Sequence, residues 1–171
     1  MKTESAVRWH ARTLTVSGLL GALSILLGMT PLGFIPVPSA AGHATIMHIP
    51  VILGAVLEGP MVGTLTGLVF GLHSFLRASN PLFADPLVAL GPRLLIGVAA
   101  YGVYRLTHSD ALAAAFGTIV NTLGVMGLAV LRGYITIPVA WGVVLTHGIP
   151  EVIIGIAITV VASKALRRVR R

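Results

Sequence analysis

Residues 31–74 read PLGFIPVPSAAGHATIMHIPVILGAVLEGPMVGTLTGLVFGLHS. Positions 31–42 carry prolines and glycines but no Lys, Arg, Asp or Glu. An apolar segment bearing His48 follows, then a tight Glu58-Gly59-Pro60 turn, then a stretch with Gly63, Gly67 and Gly71 four apart. Proline and glycine mark the first part as a loop. A loop this apolar is out of place on a soluble domain, whose connections run through water. Beside a membrane it suits the lid of a small-molecule site.

The rest of the chain agrees with a lipid setting. Its 171 residues fit one domain. Hydrophobic residues make up 56% and charged residues 10%, with a mean hydropathy of +0.95. Soluble domains carry about a quarter charged residues, so lipid is the expected solvent for most of this surface. The chain has no cysteine, which excludes disulfides, thiolate nucleophiles and thiolate metal ligands. The net charge of +7 does not point to nucleic acid. Five of the twelve Lys and Arg residues (Lys164, Arg167, Arg168, Arg170, Arg171) follow an apolar helix at the end of the chain, where they face anionic lipid. Near the start, Lys2, Arg8 and Arg12 precede an apolar run, and Ser39-Ala40-Ala41 imitates a cleavage site. The prolines between run and site argue that the run is retained as a helix.

A bilayer core of about 30 Å takes roughly 20 apolar residues per helix. Six segments are expected to span it, at about 12–29, 44–57, 60–76, 86–106, 110–131 and 141–163. The second is short and contains Pro50, so it is expected to be tilted or broken, which surrounding protein tolerates. The fold class is therefore an all-α, six-helix membrane bundle in a single domain, 1–171. Six spans put both termini on one side. With the termini cytoplasmic, nine of the twelve basic residues lie inside and only Arg77, Arg93 and Arg132 lie in the outer half, as the positive-inside rule requires. Small residues four apart let helices approach closely in lipid. The glycine stripe of the third helix is read as internal packing. Ser17/Gly21 and Gly18/Ala22 on the first helix serve either packing or a partner.

Ionisable groups at membrane depth cost about 2.5–3.5 kcal/mol each and are functional candidates by default. Arg93 lies inside the fourth helix. His73 and Arg77 share a face of the third, His147 and Glu151 share a face of the sixth, His48 begins the second and Asn121 sits mid-fifth. All fall in the outer half of the bundle. Each also has a structural reading: Glu151 pairing with Arg93 or His147, His48 as a hydrogen-bonded packing residue, Arg77 and Arg132 reaching to headgroups. Arginine forks bind carboxylates and phosphates, so an anionic solute entering from outside fits the set. Nucleotide hydrolysis does not: no GxxxxGK[ST] exists, and the only lysines are Lys2 and Lys164. Neither HExxH nor GxSxG occurs. His147 and Glu151 place two possible ligands on one helical face, and they would make a metal site only if the fold brought in His48 or His73 to complete it.

Leu32-Gly33-Phe34-Ile35-Pro36, the run Ala44-Thr45-Ile46-Met47-His48-Ile49-Pro50-Val51-Ile52-Leu53-Gly54, and the Glu58-Gly59-Pro60 turn with its glycine stripe resemble the substrate-binding S components of energy-coupling factor (ECF) vitamin transporters. The pantothenate- and folate-type branch is the nearest. The resemblance implies a six-helix subunit of the prokaryotic plasma membrane with a vitamin pocket near the outer face. The loop at 31–42, with Phe34, Ile35 and Pro36, would cover that pocket. It also implies docking, through the small residues of the first helix, onto a transmembrane coupling subunit driven by two ATPase subunits. ATP is then hydrolysed by those partners, and this chain needs no cofactor, metal or catalytic residue of its own. The substrate-binding set carried forward is His48, His73, Arg77, Arg93, Asn121, His147 and Glu151. Pantothenate, an anion with hydroxyls and an amide, is the leading substrate, with folate and a B6 vitamer as rivals.

Two other readings stand beside it. Met47-His48-Ile49-Pro50 echoes the start of related cobalt and nickel uptake subunits, although here a whole helix precedes it. An intramembrane enzyme using His147 and Glu151 as acid and base would need a nucleophile or metal that the sequence does not supply.

Overall fold

The computed structural model of the chain describes residues 2–36, 43–77 and 80–169. Its helices are α1 (Lys2–Met29), α2 (Ile49–Glu58), α3 (Pro60–Arg77), α4 (Pro86–Thr107), α5 (Asp110–Leu131), α6 (Ile137–Val143) and α7 (Ile149–Val169). A π-helical turn, Val144–Gly148, carries α6 directly into α7 as one interrupted rod. Two short strands, β1 (Phe34–Pro36) and β2 (His43–Thr45), pair antiparallel with Phe34 opposite Thr45. The architecture is otherwise all-α. Among the described residues four stretches are long and apolar enough to cross a bilayer: Ala11–Met29, Pro86–Thr107, Asp110–Leu131 and Ile137–Val169.

Local chemistry sets the helix ends. Proline occupies the first turn of α2, α4 and α6, where its missing N–H costs nothing. Asp85 caps α4 by accepting the Leu87 N–H at 2.8 Å, and Ser109 caps α5 by accepting that of Leu112 at 3.3 Å. Between α2 and α3 the chain turns at Gly59 with φ of 104°, a conformation that a side chain would strain.

Several expected boundaries need correction. The second helix begins at Ile49 rather than 44, because residues 43–45 form β2; apolar runs this short do not distinguish strand from helix. Pro50 therefore starts α2 instead of breaking it. The first helix extends back to Lys2, since helical structure continues beyond the apolar stretch. The last rod begins at Ile137 rather than 141 and runs on to Val169 rather than 163. The expected lid loop begins with regular structure: a 3₁₀ turn at Pro31–Gly33 leads into β1. Residues 37–42, with the Ser39-Ala40-Ala41 pseudo-site, lie outside the described residues.

The short helix α2 is wrapped by protein. Every residue from Ile49 to Val56 is buried, which explains how ten residues serve where a lipid-facing helix needs more. Val51, Ile52 and Ala55 meet Ile96, Ala100, Ala113 and Ala114 in the core. Beside it α3 and α4 cross closely. A Cβ on Gly97 would stand 2.5 Å from the Gly63 carbonyl carbon, and one on Gly67 would collide with the Arg93 carbonyl. That contact anchors the backbone of α4 at Arg93 against α3.

The bundle has two polar ends. At one, Arg12 pairs with Glu58 at 3.1 Å and Arg167 grips Asp110 at 2.8 and 3.1 Å, with Ser163 donating to the same carboxylate at 2.7 Å. At the other, Arg77 donates to the Gly28 carbonyl at 3.1 Å and closes the end of α1, while Arg132 meets Asp85 at 2.6 Å. A polar-lined cavity containing Arg77 opens at this second end.

Candidate functional site

A cavity of about 310 Å³ lies under the β1–β2 pair. The strands contribute Phe34, His43 and Thr45; α3 contributes Phe70, His73 and Arg77. Arg93 reaches it from α4, Asn121 and Thr122 from α5, His147 from the π turn and Glu151 from the first turn of α7. Phe83 enters from the 3₁₀ turn Pro81–Ala84 before α4.

Arg93 is 3% exposed. Its Nη1 donates to the Val88 carbonyl at 2.9 Å, and its guanidinium lies 4.6 Å from the Phe83 ring centre and 5.3 Å from that of Phe70. The two rings supply cation–π attraction and hold the planar group in place. Its Nε is buried without a hydrogen-bond partner, and among the described residues no carboxylate forms an ion pair with it. A desolvated cation with no carboxylate in contact, and Glu151 acting on it only from beyond ion-pair distance, is an attractor for an anion.

Glu151, also 3% exposed, is in the opposite condition. Its Oε1 accepts the Thr45 hydroxyl at 2.6 Å and the Thr45 N–H at 3.1 Å; its Oε2 accepts the Thr122 hydroxyl at 2.8 Å. His147 Nε2 stands 3.6 Å from Oε1. The chain's own donors occupy this carboxylate. Of the two pairings considered for Glu151, the one with His147 is formed and the one with Arg93 is not.

Of the sequence-selected set, the structure brings His73, Arg77, Arg93, Asn121, His147 and Glu151 to one cavity. His48 is the exception and a correction. It is fully buried beneath the cavity, and its Nε2 bonds Thr118 Oγ1 at 2.9 Å, which ties the start of α2 to α5. A residue leading into a helix surrounded by protein points into packing. Arg77 is exposed and spends one N–H on the Gly28 carbonyl, so it serves the rim. Within the lid, Phe34 lines the cavity and packs edge-on to His43 at 6.3 Å, whereas Ile35 and Pro36 do not line it. No group of three or more His, Asp or Glu forms a metal-type cluster among the described residues.

The small residues of α1 divide by face. Ser17 and Gly21 turn inward, and a Cβ on Gly21 would stand 2.7 Å from Val69. Their expected place on a docking face is corrected to internal packing against α3. Gly18 and Ala22 are exposed, with open space around Gly18.

Sequence reading missed Thr45, Thr122, Phe70 and Phe83, all common residue types with no charge to mark them. It also missed Asp85. Burial pushes the Asp85 carboxyl up, but hydrogen bonds from Arg132, the Leu87 N–H and Tyr134 outweigh that and hold it below its ordinary value. Arg132, expected to reach for headgroups, instead joins the end of α5 to the start of α4, and the hydrogen bond to Asp85 raises its own value.

The chain matches the family model described as "ECF transporter, substrate-specific component" over residues 12–163. The pantothenic acid transporter PanT of Lactococcus lactis subsp. cremoris (strain MG1363) is 30% identical over 156 residues, covering 74% of this chain and 79% of that protein. A solved structure described as "Structure and mechanism of the S component of a bacterial ECF transporter" superposes with a TM-score of 0.72 at 19% identity, covering 95% of this chain and 99% of the other.

Proposed function

The chain belongs to the family of ECF transporter substrate-specific components, and on that premise we propose that its cavity captures pantothenate. The observation that carries this reading is Arg93: a buried guanidinium on the cavity wall, held by two aromatic rings and with no carboxylate in ion-pair contact among the described residues. A monoanion completes it. Glu151 already accepts hydrogen bonds from Thr45 and Thr122 and is flanked by His147, which leaves it less free than Arg93 to receive a ligand's charged group. A cavity of about 310 Å³ is at the small end for ligand pockets, which favours pantothenate over the bulkier folate. The resemblance to PanT supports the same choice.

In this reading the protein crosses the prokaryotic plasma membrane six times. α2, wrapped by protein, and α3, which exposes Met61, Leu72 and Leu76, form two of the passes, and both termini are cytosolic by the positive-inside count. The cavity then opens outward. A transmembrane coupling subunit and two ATPase subunits supply the energy, and ATP is hydrolysed there. Gly18 and Ala22, open on α1, are the part of the small-residue set still free for docking.

Calorimetric titration of purified protein with pantothenate, folate and pyridoxine tests the proposal. The expected result is saturable pantothenate binding that Arg93→Ala weakens at least about a hundredfold, as for a truncated buried charge pair. Wild-type protein that ignores pantothenate, or an Arg93→Ala protein that binds it normally, refutes the reading.

A further inference from the structure

We propose that Glu151 is a positioning residue, whose carboxylate latches β2 over the cavity through Thr45, so that breaking this latch sets the rate at which ligand leaves. The inference rests on the reading of the cavity as a ligand site.

Thr45 ends β2 and stands opposite Phe34, the roof residue that lines the cavity. Both of its donors, N–H and hydroxyl, converge on one Glu151 oxygen at 3.1 and 2.6 Å across 106 residues of sequence. Among the described residues these are the only hydrogen bonds that tie the strand pair to a transmembrane helix through a side chain. The carboxylate is aimed before the strand arrives, because Thr122 holds the other oxygen at 2.8 Å and His147 flanks the first. Lifting the strand pair therefore breaks two charge-assisted hydrogen bonds at an almost fully buried carboxylate, where such bonds are strongest. The ligand is not needed to form the latch. It is trapped by it.

Two measurements on the full chain in lipid nanodiscs test this. The first is hydrogen exchange at the amides of Phe34, Ile35 and residues 43–45 without ligand; the second is the dissociation rate of pantothenate. Thr45→Val removes the hydroxyl donor with little change in shape. It is expected to speed both exchange and dissociation roughly 10- to 100-fold. Association should also accelerate, leaving the equilibrium constant less altered than the off-rate. Thr45→Ser keeps the hydroxyl and is expected to restore wild-type exchange and release. Unchanged exchange in Thr45→Val, or an equal loss in Thr45→Ser, overturns the latch. If wild-type protein binds no pantothenate, the functional reading falls, while exchange in the ligand-free protein still decides whether Glu151 holds the strands.

Discussion

The guanidinium carbon of Arg93 lies 4.6 Å from the centre of the Phe83 ring, so the buried cation is braced by a residue from the turn that precedes its own helix. Phe83→Leu keeps the apolar volume but removes the π face. A cation–π contact contributes about 1 kcal/mol, and pantothenate binding should weaken about fivefold. Arg93→Lys retains charge but loses the planar fork, and its loss should be greater. Titration calorimetry on both variants orders them.

His48 lies beneath the cavity with its Nε2 on Thr118. Truncating so large a buried side chain leaves a void, and His48→Ala should cost about 2–4 kcal/mol of stability. Thr118→Val should cost about 1 kcal/mol for the lost hydrogen bond. Neither should change which vitamin is preferred. Thermal unfolding in detergent, paired with a vitamin panel, separates this support role from ligand contact.

The α3–α4 crossing makes a positional prediction about glycine. A methyl group at Gly97 meets backbone of α3, and one at Gly63 meets Ala55 of α2 and the Gly97 backbone; overpacking of this kind costs about 1–3 kcal/mol. At Gly102 and Gly127 a Cβ meets nothing within 4 Å. Gly63→Ala and Gly97→Ala should lower the unfolding temperature; Gly102→Ala and Gly127→Ala should leave it unchanged or raise it.

Acid should loosen the cavity end of the bundle through Asp85. Its carboxyl sits below its ordinary value in the folded protein, chiefly because hydrogen bonds from Arg132 and its neighbours overcome the effect of burial. The stabilisation is therefore complete above the unfolded value of about 3.9 and is lost as pH falls through the lower folded value. Asp85→Asn should be less stable than wild type at neutral pH, and the difference should shrink below about pH 4. Unfolding temperatures of both proteins across that range check the sign.

The parts of this fold that are legible in the sequence are those with a local cause. Ser109 and Asp110 announce the start of α5, and the glycine repeat of α3 announces a close crossing. The start of α2 was legible too, in Pro50 at the first turn, but the apolar stretch ahead of it obscured the signal. Thr136-Ile137-Pro138 marks α6 in the same way. At the site, charge at membrane depth singles out Arg93 and Glu151. Their different conditions, one cation without a contacting carboxylate and one carboxylate hydrogen-bonded at both oxygens, depend on Thr45, Thr122 and Phe83 arriving from distant elements. The inward and outward faces of α1 are likewise decided by where α3 lies, since Ser17/Gly21 and Gly18/Ala22 have the same spacing.

The wide turn Val144–Gly148 has a bearing on chain length. A π turn closes with one more residue than an α turn, so a chain with one residue fewer there would close as ordinary helix. The stripe that follows it, Glu151, Gly155, Thr159 and Ser163, would keep its heading toward the bundle interior. These five positions form an expansion joint. Aligned against relatives, they are where a single-residue gap carries the least structural penalty, and the same gap placed after Glu151 would swing the carboxylate and Ser163 onto different faces of the rod.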